Sequence, residues 1–320
     1  MNREQHAYKS MGVFAIFKEA FKIIVSQNII YSQITLAVLV PLTILYLSQV
    51  YMLYLIQDKT YQYIKTSRLG AYDYGIIISV FINTIIASFF SLFLTSNAVY
   101  ATTCFYTSRD ITFKKVIGVF PKVYKRLYVT LLWCFYMLRV YTMAGVASLW
   151  YFLGIKGAQG EGWKQVCLML IFCLSIPFLT GLVYMTSIWN IATVIAILEE
   201  DYGKKALLKS MKLIRGKIRV SCVVFLLLEI TLIGILSTFI LLVAHECISS
   251  VIGTIFAGIV CCSLMTFVVH FSLVTRTVIY FICKAYHNED IRNINPFPDV
   301  SYVSLVTVND DRRQLSLALV

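Results

Sequence analysis

Six apolar stretches constrain this chain more than any other feature. Residues 29–56, 75–106, 127–155, 165–198, 220–244 and 248–283 together hold only three charged residues, Arg139, Glu229 and Arg276. Each stretch exceeds the roughly 20 residues a helix needs to cross a hydrocarbon core of about 30 Å. Strands of a membrane barrel would show segments of about 10 residues with alternating polarity, whereas these runs are apolar continuously. The expected fold is therefore all-α: a polytopic membrane protein with six transmembrane helices. The first run is also longer than the roughly 7–15-residue core of a cleavable signal and is expected to stay as an anchor.

Charge supplies the orientation. The chain carries 28 Lys and Arg against 16 Asp and Glu. Twenty-one of the basic residues lie in the N-terminal segment, between stretches 2 and 3, between stretches 4 and 5, and in the tail; the alternate connections hold five. Because basic loops stay on the cytosolic side, both termini are expected there, in a plasma or endoplasmic reticulum membrane. This divides the chain into a cytosolic amphipathic segment (1–28), a six-helix domain (29–283) and a disordered cytosolic tail (284–320). The net charge of +12 then belongs to a face that meets anionic lipid. No base-stacking or recognition module accompanies it, which argues against nucleic acid. The expected partners are anionic membrane lipids and other membrane proteins.

The basic segments are themselves patterned. Phe14, Phe17, Phe21 and Ile24 recur at helical spacing around Lys18 and Lys22. Val116, Ile117, Val119 and Phe120 sit among Lys114, Lys115 and Lys122, while Leu207, Leu208, Met211 and Leu213 alternate with Lys209, Lys212 and Arg215. Each reads as a short amphipathic interfacial helix before spans 1, 3 and 5, a pattern that fits either a threefold repeat of interfacial helix plus hairpin or the basic residues that any hairpin protein with a cytosolic N-terminus carries before its odd helices. The even spans are longer than a bilayer needs. Their polar ends, Thr95, Ser96, Asn97, Thr102 and Thr103 in the second and Ser187, Asn190 and Thr193 in the fourth, lead to the expectation that they project at the basic side. Pro41 and Pro177 are expected to kink their helices.

The strip from 188 to 217 carries a resemblance. Leu198, Glu199 and Glu200 close an apolar helix; Tyr202 and Gly203 make a turn; Ala206, Lys209 and Ser210 open an amphipathic helix that ends in Gly216 and Lys217. This passage, with the Phe-Lys-Glu-Ala-Phe start and Ser-Gln-Ile-Thr-Leu entry within residues 16–42, resembles a family of uncharacterised plant multi-pass transmembrane proteins. A looser likeness extends to the membrane domain attached to glycerophosphodiester phosphodiesterases. The resemblance implies a six-span helical fold and transfers no activity. By the residues alone, Glu199, Glu200 and Asp201 precede a helix N-terminus, so the strip reads as a capping and anchoring unit.

The sequence has no nucleophile elbow, phosphate loop, zinc-binding helix motif, C-x-x-C or paired Asp-rich prenyl-transfer motif. The four histidines fall in four separate regions without metal-ligand spacing. The expectation is a protein that is not an enzyme and takes no cofactor or catalytic metal. Nine cysteines lie mostly within spans as small packing residues; Cys283, at the basic edge, is a candidate for palmitoylation. Lys209, Lys212, Arg215 and Lys217 are candidate lipid-headgroup contacts. The sharpest physical signal is intramembrane charge, which is costly unless paired or wet. Arg139 and Glu229 fall at similar depth on spans 3 and 5 and are expected to form an ion pair; Arg276 is expected to snorkel to the basic surface. In the tail, Asn295-Pro296-Phe297 and Tyr302-Val303-Ser304-Leu305 look like sorting signals. The leading function is a non-enzymatic membrane protein that organises lipids or partner proteins at the cytoplasmic face. The alternative is a small-solute transporter using the Arg139 and Glu229 region.

Overall fold

The computed structural model describes residues 11–26, 28–66, 71–107, 113–154, 161–244, 250–287 and 289. These residues are helical almost throughout. Helix α1 (Val13–Ser26) precedes a first span built from α2 (Asn28–Ile34), a π-helical turn (Thr35–Leu39) and α3 (Val40–Thr66). Then come α4 (Ala71–Tyr106), α5 (Phe113–Gly154), α6 (Glu161–Leu198) and the short α7 (Lys204–Ile214). Helix α8 (Ile218–Phe239), prolonged by a second π-helical turn (Ile240–Ala244), and α9 (Val251–Tyr286) complete the chain. Six helical runs are long and apolar enough to cross a membrane. The proposed sorting signals of the tail, like most of residues 284–320, lie outside the described residues.

Neighbours in sequence pack as hairpins, α3 on α4, α5 on α6 and α8 on α9. Exposed apolar side chains trace a belt across them, over residues 128–146 of α5, 223–241 of α8 with its π-helical turn, and 252–267 of α9. At 1.5 Å per residue the first two stretches cover about 27 Å, close to the thickness of a hydrocarbon core. Helices α4, α6 and α9 continue past this belt at the basic end, as their length led one to expect. Their final turns are buried: Val99 and Ala101, Ile195 and Ala196, Val278 and Ile279. Three basic segments enclose them, through Ile16, Ala20 and Ile23 of α1, Val116, Val119 and Val123 of α5, and Ala206, Leu213 and Ile214 of α7. No single loop is long enough to fold alone, yet the projecting helix ends and these segments together build a compact body beside the membrane.

Two details of the basic segments depart from expectation. The second segment is no separate interfacial helix: residues from Phe113 on form the first turns of α5, which runs through Pro121 for 42 residues. Burial of Val116, Phe120 and Val123 against α4 (Phe93 and Phe120 rings lie 5.0 Å apart) supplies contacts that outweigh the missing proline N–H. Nor do Glu199, Glu200 and Asp201 cap α7. Its N-cap position is Gly203, at φ 61° and without a side-chain cap, a left-handed conformation that favours glycine. The Gly203 N–H donates instead to Thr130 Oγ1 on α5 at 2.8 Å.

The prolines are absorbed in two ways. Ahead of Pro41 the backbone widens into the π-helical turn, in which the Val40 N–H reaches the Thr35 carbonyl. Helix α6 passes through Pro177, and the next carbonyl, Phe178 O, accepts a hydrogen bond from Tyr141 OH on α5 at 3.0 Å. The Tyr141 and Phe178 rings stack there at 5.2 Å.

Candidate functional site

Helices α4, α5, α6, α8 and α9 surround a cavity of about 550 Å³. Its wall on α6 changes character along the helix. Thr193, Asn190 and Thr186 line it toward the basic end, and Val183, Leu182 and Leu179 toward the belt. Ser91 and Thr95 of α4 add hydroxyls, while Leu127, Leu131 and Leu138 of α5 supply an apolar wall. Two ionisable side chains enter, Glu229 from α8 and Arg276 from α9. They interact electrostatically, but among the described residues no ion-pair contact joins them. The Arg276 Nε is buried with no hydrogen-bond partner. On the belt side the rim consists of Leu179, Leu226 and Ile233, all exposed within the spans, so the mouth opens sideways into lipid.

This arrangement corrects the expected Arg139–Glu229 pair. Arg139 is exposed and does not line the cavity. The reason is helical phase: Leu138 faces inward, and one residue further the side chain has turned by about 100°. Arg276, expected to snorkel outward, is the cation that faces Glu229.

The candidate headgroup residues also separate. Lys212 and Arg215 are exposed. Lys217 lies over the Tyr286 ring at 6.0 Å, where a Cβ on neighbouring Gly216 would collide with that ring. Lys209 is not free for lipid, because it pairs with Glu199 Oε2 at 2.5 Å and Asp201 Oδ2 at 3.3 Å. Cys283 is 0% exposed, packed beside Ser221, so an acyl transferase could reach its thiol only by unpacking α9. Palmitoylation there is corrected accordingly.

Lys209 belongs to a network that sequence reasoning missed. Glu199, at the end of α6, accepts from Tyr280 OH at 2.6 Å and from Lys284 Nζ at 3.0 Å on its other oxygen. Lys284 also lies 3.7 Å from Glu289. One carboxylate thus ties α6, α7 and α9 together, and His287 Nε2 donates to the Leu213 carbonyl at 3.0 Å beside it. Burial alone would push the Glu199 carboxyl up, but Lys209, Tyr280 and Lys284 outweigh it and hold it below its ordinary value. Burial likewise opposes the charge on Lys209, and Glu199 and Asp201 overcome it, holding that ammonium above its ordinary value. A signal did exist: Glu199, Gly203, Lys209 and Gly216 all lie in the strip that carries the family resemblance.

A second cavity of about 760 Å³ lies where α1 meets the first span and α9. Thr35, in the π-helical turn, is hydrogen-bonded to His270 Nδ1 at 2.8 Å, and Tyr31 packs edge-on against the same imidazole. Among the described residues no group of three or more His, Cys, Asp or Glu is placed to hold a metal ion.

The sequence model of a family described as a domain of unknown function, DUF8558, matches residues 1–295, so the chain belongs to that family. No curated protein and no solved structure matches it.

Proposed function

We propose that this member of the DUF8558 family is a non-enzymatic integral membrane protein that binds and organises lipids at the cytoplasmic face of its membrane. The observation that carries this reading is the cavity with polar walls toward the basic body and an exposed apolar rim within the spans. A space graded in that direction suits an amphiphile, whose head and tails divide between the two ends. Exposed Lys212 and Arg215 add attraction for anionic lipid, worth about 1 kcal/mol per residue near the surface. In this reading the basic body is cytosolic, in a plasma or endoplasmic reticulum membrane, and the strip from 188 to 217 resembles a family of plant membrane proteins. The Glu229 and Arg276 charges favour a second reading, small-solute transport, but a solute path calls for a polar mouth, and the rim is apolar.

Trp189 lines the cavity and gives the test. With Trp133, Trp150 and Trp163 changed to Phe, phospholipid bearing brominated acyl chains should quench Trp189 fluorescence, and the quenching should outlast exchange of the bulk lipid. Thr186→Phe, which fills the space, should abolish the persistent part. Quenching that vanishes with the bulk lipid in the unfilled protein would reject lipid binding. Orientation is checked separately by single-cysteine labelling, with positions 122 and 212 reachable from the cytosol and positions 66 and 160 from outside.

A further inference from the structure

Glu229 and Arg276 place opposite charges in one cavity without neutralising each other by contact. Each alone is expensive at the edge of hydrocarbon. A purely anionic ligand would satisfy Arg276 and be repelled by Glu229; a purely cationic one would do the reverse. A ligand carrying an anion and a cation a few ångströms apart satisfies both. From this juxtaposition we propose that the cavity selects a zwitterionic phospholipid headgroup, its phosphodiester on Arg276 and its ammonium on Glu229. The inference deepens, and rests on, the lipid-binding reading above.

The chemistry of each partner fits. A guanidinium presents several N–H donors in a planar fork that matches phosphate oxygens, and the buried Arg276 Nε has no protein acceptor. A buried donor left unmade is costly, so a ligand that supplies the acceptor is favoured. Across the cavity the Glu229 carboxylate takes an ethanolamine ammonium by charge-assisted hydrogen bonds or a choline trimethylammonium by charge alone. Trp189 lines the same space, braced by Phe135 at 4.9 Å between ring centroids, and an indole face attracts quaternary ammonium. Asn190 and Thr186 offer further polar contacts to the glycerol region, and the tails leave over the Leu179 and Ile233 rim into the bilayer. Free zwitterions share the headgroup chemistry; the apolar rim is what selects the lipid.

The test uses the full-length protein in detergent, with bound lipid counted by native mass spectrometry against equimolar phosphatidylcholine, phosphatidylethanolamine and phosphatidylglycerol. The wild type should retain the two zwitterionic lipids about tenfold over phosphatidylglycerol, the size expected from one charged hydrogen bond. Glu229→Gln should erase that preference while lipid is still retained, and Arg276→Gln should weaken retention of all three. Glu229→Asp and Arg276→Lys, which keep the charges, should preserve the order of preference, and Arg139→Gln, outside the cavity, should leave it unchanged. Equal retention of the three lipids by the wild type, which needs no variant to fold, would overturn the zwitterion assignment while persistent Trp189 quenching kept lipid binding itself intact. Displacement by soluble glycerophosphocholine at the concentration of the lipid would overturn the lipid as source. Loss of the Trp189 quenching would remove the underlying reading, so the two failures are told apart.

Discussion

The basic body and the lipid belt are built from the same helices, yet different forces hold them. In the body, the ends of α4, α6 and α9 are enclosed on every side, and their side chains are as buried as in a water-soluble core. Here the hydrophobic effect operates, and a polar group must find a partner inside, as Glu199 does. In the belt, apolar residues such as Ile255 and Ile233 face outward, and lipid tails offer them the same surroundings as a neighbouring helix would. Packing there depends on shape, as where Tyr141 stacks on Phe178. The cavity lies between the two regimes, which is where a molecule with two characters belongs.

The sharpest way to break this comparison is to remove the carboxylate that ties the body together. Glu199→Ala takes the 3.0 Å partner from Lys284, whose side chain is 10% exposed, leaves it only the more distant Glu289 carboxylate at 3.7 Å, and should cost about 3 kcal/mol, as for other broken buried pairs. Thermal unfolding in detergent should show a drop of many degrees; an unchanged midpoint would mean that the body does not depend on the network. The pH dependence has a definite sign. Because the Glu199 carboxyl is held below its ordinary 4.5, its stabilisation is complete above that value and is lost as pH falls through the lower folded value. Lys209, held above its ordinary 10.5, contributes fully below that value and loses its contribution as pH rises through the higher one. Both act at neutrality, and Glu199→Gln should remove the acid limb from a plot of unfolding midpoint against pH.

Next in size is the direct comparison of two isoleucines. Ile195 is 0% exposed in the body and Ile255 is 60% exposed in the belt. Ile195→Ala should cost about 3 kcal/mol through lost contacts and a cavity, and Ile255→Ala less than about 0.5 kcal/mol. Equal costs measured by denaturation in one detergent would erase the distinction between the regions. Gly203→Ala sharpens the boundary of the body: at φ 61° and ψ −130° a Cβ costs about 1–3 kcal/mol, and a smaller loss would mean that the turn before α7 can relax.

The six spans and the projection of the even ones were legible because they depend on length and on the absence of charge, both of which are local. The Glu199 network was not, since its partners Tyr280 and Lys284 lie 81 and 85 residues away on a helix whose neighbours no pattern announces. The fusion of the second basic segment into α5 was hidden by Pro121 and Gly118, ordinary breakers that tertiary packing overrode. For the cavity the reason is more basic. In a soluble helix the buried face is the apolar one, but in the belt Leu131 toward the cavity and Leu132 toward lipid are the same residue type, so periodicity says nothing about which way a charge turns. Depth could be counted along the chain; direction around the helix could not.

Arg139 tests that last point with the smallest expected effect. Had it paired with Glu229, losing it would leave a buried carboxylate and cost about 3 kcal/mol or more. Its exposure and its turn of about 100° from Leu138 give a different expectation. A long side chain on the outward face has no buried partner to lose and only lessens its own cost by extending along the helix, so Arg139→Gln should lower stability by no more than about 0.5 kcal/mol. Glu229→Gln leaves Arg276 as the only ionisable group of the cavity wall among the described residues, and should cost more than Arg139→Gln. The exchange Arg139→Glu with Glu229→Arg discriminates the arrangements. If the two residues were partners, it would recover part of the loss; with Arg276 opposite Glu229, it puts two cations across one cavity and should be worse than Glu229→Gln alone. Recovery in the exchange variant would restore the pair expected from the sequence and remove Arg276 from the site.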